Sequence, residues 1–293
     1  MTELKITNLN FAYNRKKQVF NDFSLTFGDG ITLLLGANGS GKSTLFKLIC
    51  GVLIPKSGNI EAFCDGQPIK SPKAEIAYIP QNFDAFPSLS VRDVLTYICG
   101  QRGKGLQKSE IKKQVDNAIE LADIMEYTDK KMRTLSGGTK QRVGIAQSIL
   151  GDPKIIIADE PTAGLDPEQR ERYNRIVAKT AKNRSFIIST HLFDDTRYYE
   201  NLTLISEGKL KFQGNKEKMT RSVAGKIYLL TCNVQELDED ALPKGTMLLS
   251  TATNENIVEA RLYSEKKPDI PYGRVQEAEG TLLDAWQHYC AKK

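Results

Sequence analysis

The sequence predicts an α/β protein built on a parallel sheet, with a β-rich N-terminal part, an inserted helical subdomain and a small C-terminal α+β unit. Three observations predict it. The apolar run Ile31-Thr32-Leu33-Leu34-Leu35 passes through the glycine loop Gly36-Ala37-Asn38-Gly39-Ser40-Gly41-Lys42-Ser43-Thr44 directly into the helical pattern Leu45-Phe46-Lys47-Leu48-Ile49. Two more apolar strands, Ile155-Ile156-Ile157-Ala158 and Phe186-Ile187-Ile188-Ser189, flank a helix opened by Asp166-Pro167, and strand, helix, strand implies parallel pairing. From about residue 219 the pattern changes to alternating short strands with Pro243, Pro268 and Pro271 between them.

Residues 4–13 and 19–27 read as two extended segments around the polar turn Asn14-Arg15-Lys16-Lys17, and Gly28-Asp29-Gly30 leads into the strand before the glycine loop. Glu75-Ile76-Ala77-Tyr78-Ile79-Pro80-Gln81 is a short strand stopped by proline. Residues 82–134 then read as helices, with Ile111, Val115, Ala118, Ile119, Ala122 and Met125 on one face. Leu202 to Ser206 and Lys209 to Phe212 flank Glu207-Gly208 as a hairpin. The polar stretch Gly214 to Lys218 marks a boundary, giving domains 1–214 and 219–293. Within the second, Ile227 to Val234, Thr246 to Thr251 and Ile257 to Tyr263 read as strands. The terminal segment Thr281 to Ala291 carries Leu282, Leu283, Trp286 and Tyr289 on one helical side, and His288 reads as structural.

At 293 residues the chain is long enough for a well-buried core. Its 41 basic and 36 acidic residues are interspersed and leave a formal charge of +5, which is no footprint for nucleic acid or a membrane surface. Cys50, Cys64, Cys99, Cys232 and Cys290 show no metal-ligand spacing, and their odd number fits reduced thiols. The apolar runs are too short to cross a bilayer, and Met1-Thr2-Glu3-Leu4-Lys5 lacks the make-up of a signal peptide, so the expectation is a soluble intracellular chain.

The chemistry begins at the glycine loop. A backbone turning between strand and helix converges its N–H groups on phosphate oxygens, and the helix start adds positive dipole. Lys42 can reach the β- and γ-phosphates and Ser43 can ligate Mg²⁺. Asp159 and Glu160 follow the apolar strand at 155–158, at the edge where ligands of open α/β sheets gather. Asp159 is the expected Mg²⁺ partner and Glu160 the base that positions water, because phosphoryl transfer to water needs charge neutralisation and an oriented nucleophile. In Leu135-Ser136-Gly137-Gly138-Thr139-Lys140-Gln141-Arg142 a serine and two glycines open another helix, either a cap for that helix alone or a second anion-binding start, which one nucleotide does not need.

That segment resembles the signature sequence of ATP-binding cassette (ABC) proteins, which lies upstream of the Asp-Glu strand as it does here. The resemblance covers roughly residues 2–214 and extends through seven motifs in order. It implies a P-loop NTPase core that binds ATP with Mg²⁺ and hydrolyses it. It places Tyr13 where an aromatic ring stacks on adenine, Gln81 where a glutamine reaches Mg²⁺ and the attacking water, and His191 where a switch histidine contacts the γ-phosphate. Asp166, in Ala163-Gly164-Leu165-Asp166, falls in the loop that contacts the partner across the dimer. Two such chains, identical or homologous, are expected to close head to tail on two ATP molecules, each glycine loop facing the other chain's Ser136.

The tail Val275 to Trp286 is similar to that of type-2 ABC exporter ATPases, with Gly280 and Trp286 where that group has proline and phenylalanine; Leu89 to Leu95 supports the same group. The implied role is the ATPase subunit of an exporter, with a separate polytopic membrane permease, no nucleic acid, and a position on the cytoplasmic face of the cell membrane. The competing class is a soluble ABC ATPase of cluster assembly, translation or DNA repair. One cassette and about 115 residues between the loop and Glu160 disfavour the translation and repair members. A P-loop kinase or GTPase has no use for residues 135–142.

Overall fold

The computed structural model describes residues 1–291 apart from 16, 70–74 and 104; Lys16, in the turn expected between the first two strands, lies outside them. The chain divides into two compact units, residues 1–210 and 211–293.

The first unit holds two sheets. In the four-stranded antiparallel one, Thr2–Asn14 is paired on one side with Lys17–Phe27 and on the other with Ser57–Cys64, which in turn pairs with Gln67–Pro68. Leu4 and Ile6 are buried in alternation opposite Phe27 and Leu25, and past a register shift at Asn8, which has a left-handed φ of 50°, the buried phase resumes at Leu9 opposite Phe23, giving a sheet with one wet face. Ser57–Cys64 is absent from the sequence reading because its inward side carries only Gly58, Ile60 and Ala62, of which Ala62 alone is buried, a weak apolar alternation.

The larger sheet runs Asn201–Ser206, Gly30–Leu35, Ser185–Thr190, Ile155–Asp159, Ile76–Ile79, all parallel. Ile155–Asp159 and Ser185–Thr190 are buried along their whole length, as continuous apolar runs covered on both faces should be. The register sets Leu35 opposite Thr190, and Ser189 opposite Asp159. The glycine loop, the two carboxylates and His191 therefore leave the sheet at one edge, at the carboxyl ends of adjacent strands.

Val91–Arg102 and Lys108–Leu121 form the helical insertion. Ser90 caps the first, its hydroxyl accepting from the Asp93 N–H at 3.1 Å, and Gln107 with Glu110 closes a capping box on the second. Val115, Ala118, Ile119 and Ala122 are buried as their spacing predicts, but Met125 is 59% exposed and Ile124 is buried instead. The helix ends at Leu121 and Asp123 adopts a left-handed φ of 55°, so the helical period does not run on to residue 125.

The second unit is an antiparallel sheet in the order Met247–Asn254, Ile257–Tyr263, Ile227–Asn233, Arg274–Ala278, with helices Lys216–Arg221 and Leu282–Ala291. Arg274–Ala278 has no fully buried residue, and the sequence gives no strand signal there. The terminal helix buries Asp284, Ala285 and His288, whereas Leu283 is 41% exposed, so the apolar side read from the sequence is displaced. The reason is polar. Arg261 donates to both Asp284 oxygens at 2.7 Å, Thr281 donates to the same carboxylate, and His288 packs on Tyr263 with ring centroids 3.8 Å apart.

Burial opposes ionisation of Asp284, but the bonds from Arg261 and Thr281 outweigh it and hold the carboxyl below its usual range. Its stabilising effect is therefore complete above the unfolded-state pKa and is lost as pH falls through the folded one. Asp284→Ala is expected to cost the second unit about 3 kcal/mol at neutral pH by leaving Arg261 without its partner. Urea unfolding followed by the fluorescence of Trp286, the one tryptophan, reads this directly. The gap between wild type and variant should close on acidification below pH ~4.

Candidate nucleotide-binding site

Gly36–Thr44 wraps the start of the helix Lys42–Ile49. Gly41 caps that helix at φ 109°, which L side chains rarely adopt. At Gly36 a Cβ would fall 2.5 Å from the Ile205 carbonyl oxygen and from Ser40 Oγ, so the loop closes tightly enough to exclude any side chain. Ser40 Oγ is buried with no hydrogen-bond partner, an orphaned hydroxyl in the wall of the loop.

Tyr13, Asn38, Gly39, Gly41, Lys42, Ser43, Thr44 and Glu160 line one cavity of about 320 Å³ together with Lys17 and Val19. Tyr13 stands at its mouth, 48% exposed, with its hydroxyl 3.2 Å from Thr44 Oγ1 and its ring edge-on to Phe11. Lys17 and Val19 come from the second strand, and no pattern in their own segment marks them as site residues. Lys42 is buried and donates to the Gly36 carbonyl at 2.7 Å and the Ala37 carbonyl at 3.3 Å, with Glu160 Oε1 at 3.4 Å. Burial pushes its pKa below the usual value, against the opposing pull of Glu160 and Asp159.

Glu160 has a left-handed φ of 45°, a conformation costing about 1–3 kcal/mol in a residue with a side chain. Its N–H donates to the Ser189 carbonyl at 3.2 Å and its Oε2 lies 3.0 Å from His191 Nδ1. Asp159 is buried, accepting from Ser189 Oγ at 2.7 Å and from the Tyr78 hydroxyl at 3.3 Å. So Lys42, Glu160 and His191 form one chain of contacts, with Asp159 beside it.

The other predicted residues lie elsewhere. Ser136 caps the helix Gly137–Ile149, its hydroxyl accepting from the Thr139 N–H at 3.3 Å, and Asp166 caps Pro167–Thr180 in the same way at 2.8 Å to Gln169. Ser136, Gly138 and Asp166 line a second cavity of about 240 Å³ with Tyr127, Arg142 and Gln169, sharing no residue with the first. Gln81 lines neither cavity; its main-chain carbonyl accepts from the Gln141 side chain.

The donor set suits a hard cation. Asp159 and Ser43 offer a carboxylate and a hydroxyl, and Mg²⁺ takes one or two protein oxygens with substrate phosphates and water. Among the described residues no cluster of three or more His, Cys, Asp and Glu side chains could hold a metal without such help.

A glycine loop, a buried lysine and a paired acid on a parallel sheet define a nucleotide-binding α/β protein. Comparison with known proteins narrows the class. The family described as ABC transporter matches residues 20–163. The energy-coupling factor transporter ATP-binding protein EcfA1 of Leuconostoc mesenteroides is 33% identical over 220 residues, which span 72% of this chain and 80% of that one. EcfA3 of Clostridium perfringens is 33% identical over 250 residues, 80% of this chain and 86% of that one. The solved structure of cbiO1 from Clostridium perfringens, part of the ABC transporter complex cbiONQ, superposes with a TM-score of 0.65 at 33% identity, over 75% of this chain and 93% of that one. The chain belongs to the ATP-binding proteins of ABC transporters, and it is an ATPase whose hydrolysis powers transport. No helix among the described residues is long and apolar enough to cross a membrane.

Proposed function

We propose that two copies of this chain, or one copy and a homologous chain, close head to tail on two ATP molecules and drive export through a separate membrane permease at the inner face of the cell membrane. The contact chain from Lys42 through Glu160 to His191 is the observation that carries the hydrolytic part. Lys42 reaches from the Gly36 and Ala37 carbonyls to the β- and γ-phosphates, Tyr13 packs on the base, Glu160 orients the attacking water, and His191, in contact with that carboxylate, meets the γ-phosphate. Asp159 and Ser43 are the residues that would hold Mg²⁺, with Gln81 reaching it when its loop moves inward. A Mg²⁺ ion held by them would supply positive charge against the phosphates. The Ser136, Gly138 and Asp166 cavity, distinct from the glycine-loop cavity, serves the partner's nucleotide.

Coupling runs through residues 82–134. Phe86, Leu89 and Tyr97 are exposed apolar side chains in this segment, with the Phe86 and Tyr97 rings edge to face at 5.2 Å, an arrangement suited to an apolar partner segment. The adjoining loop is tied to the helix after Ser136, since Gln141 bonds the Gln81 carbonyl and Lys140 pairs with Asp84 at 3.0 Å. A photoreactive group at position 86 or 97 is expected to crosslink to a co-purified permease. Permease crosslinks obtained only when the photoreactive group is placed within residues 219–293 would put the coupling surface elsewhere. The outward direction rests on the tail Val275 to Trp286 and its likeness to type-2 exporters. Inside-out vesicles bearing the chain and the membrane protein encoded beside it should take up cargo when ATP is added outside. Loss of preloaded cargo from them on ATP addition would reverse the direction, and the lack of any membrane partner would favour a soluble ABC ATPase.

A further inference from the structure

Ser189 is fully buried, and its hydroxyl is shared between the two carboxylate residues. Ser189 Oγ accepts from the Glu160 N–H at 2.9 Å and donates to Asp159 Oδ1 at 2.7 Å. A hydroxyl carries one proton and two lone pairs, so giving the proton to Asp159 leaves lone pairs free for the Glu160 N–H, and both bonds coexist. The other Asp159 oxygen accepts from Tyr78, so the carboxylate is gripped at both ends. A buried serine commonly bonds only its own backbone neighbourhood, as Ser148 does with the Ile145 carbonyl; Ser189 instead reaches across the parallel pairing to the next strand.

We infer that Ser189 is a positioning residue for ATP hydrolysis: its one hydroxyl orients the Asp159 carboxylate toward the metal position and pins Glu160 in the left-handed turn that aims its side chain at Lys42 and His191. The inference rests on the reading of Asp159 and Glu160 given above and adds the group that aligns them. In Ser189→Ala, Asp159 keeps Tyr78 and the Glu160 N–H keeps the Ser189 carbonyl, so the strand pairing persists while the shared anchor is gone.

The test uses the full chain as wild type, Ser189→Ala and Ser189→Thr, with a fluorescent ATP analogue titrated in EDTA and in Mg²⁺, alongside steady-state turnover. Ser189→Ala should bind the analogue in EDTA as wild type does, lose about tenfold of the affinity gained with Mg²⁺, and show about a tenfold lower kcat with KM for Mg²⁺–ATP raised in step with the lost affinity. Ser189→Thr, which keeps the hydroxyl, should recover most of both, and the alanine result decides the matter if the threonine chain does not fold. A wild-type Mg²⁺ response and kcat in Ser189→Ala overturn the inference. So does loss of binding in EDTA, which would make the serine part of the scaffold only. Failure of the underlying reading shows separately, as unchanged turnover in Glu160→Gln.

Discussion

Glu160→Gln is expected to bind ATP at least as tightly as the wild type and to turn it over about a thousandfold more slowly. The phosphate site does not depend on the carboxylate, since the loop amides, Ser43 and the buried Lys42 remain. Lys42 lies 3.4 Å from Glu160 Oε1 and bonds two loop carbonyls, so the carboxylate competes with phosphate for the lysine's donors. Glutamine removes the charged competitor. What it cannot do is accept a proton from water, and its amide no longer offers His191 a carboxylate oxygen. Stalled hydrolysis should leave ATP trapped in a stable dimer, seen as a doubled mass by light scattering. Wild-type steady-state turnover by this variant would remove Glu160 from the catalytic role.

A mixture of two inactive chains should recover activity. The glycine-loop cavity and the Ser136 cavity have no residue in common, and each belongs to a helix start able to bind phosphate. If the second serves the partner's nucleotide, Lys42→Ala leaves a sound Ser136 and Ser136→Arg leaves a sound glycine loop, and a mixed dimer contains one whole site. Random pairing of equal amounts gives such dimers half the time, so the mixture should show roughly a quarter of the wild-type number of competent sites. Were both residues to act within one chain, no mixed dimer would hold a whole site. A heterodimer shown to form, yet trapping no nucleotide and hydrolysing none, would count decisively against the shared arrangement.

These two experiments concern residues that are legible in the sequence, and the reason is their contiguity. Gly36 to Thr44 is one turn of backbone whose glycines, lysine and serine act together because they are covalent neighbours. Asp159 and Glu160 end an apolar strand, and Ser136 and Asp166 are helix caps, each recognisable from its own few residues. His191 was readable because it too ends a buried strand. Local signals of this kind fail where burial is settled by a distant partner. The terminal helix turns Asp284 inward because Arg261, on another strand, meets it, and no apolar periodicity encodes an ion pair. Met125 falls outside its expected face because one left-handed residue, Asp123, ends the helical period.

The sequence by itself determined the phosphate loop, the acid pair, the second helix start and the parallel α/β class, since each rests on adjacent residues or on the period of one element. Only the tertiary structure decided which of these share a cavity. It set Ser136 and Asp166 apart from Lys42, brought Lys17 and Val19 to the glycine-loop cavity, and placed Ser189 between Asp159 and Glu160. The physical reason is register: strands more than twenty residues apart align at their carboxyl ends, and one position's slip in that pairing would carry the Ser189 hydroxyl to the opposite face of the sheet.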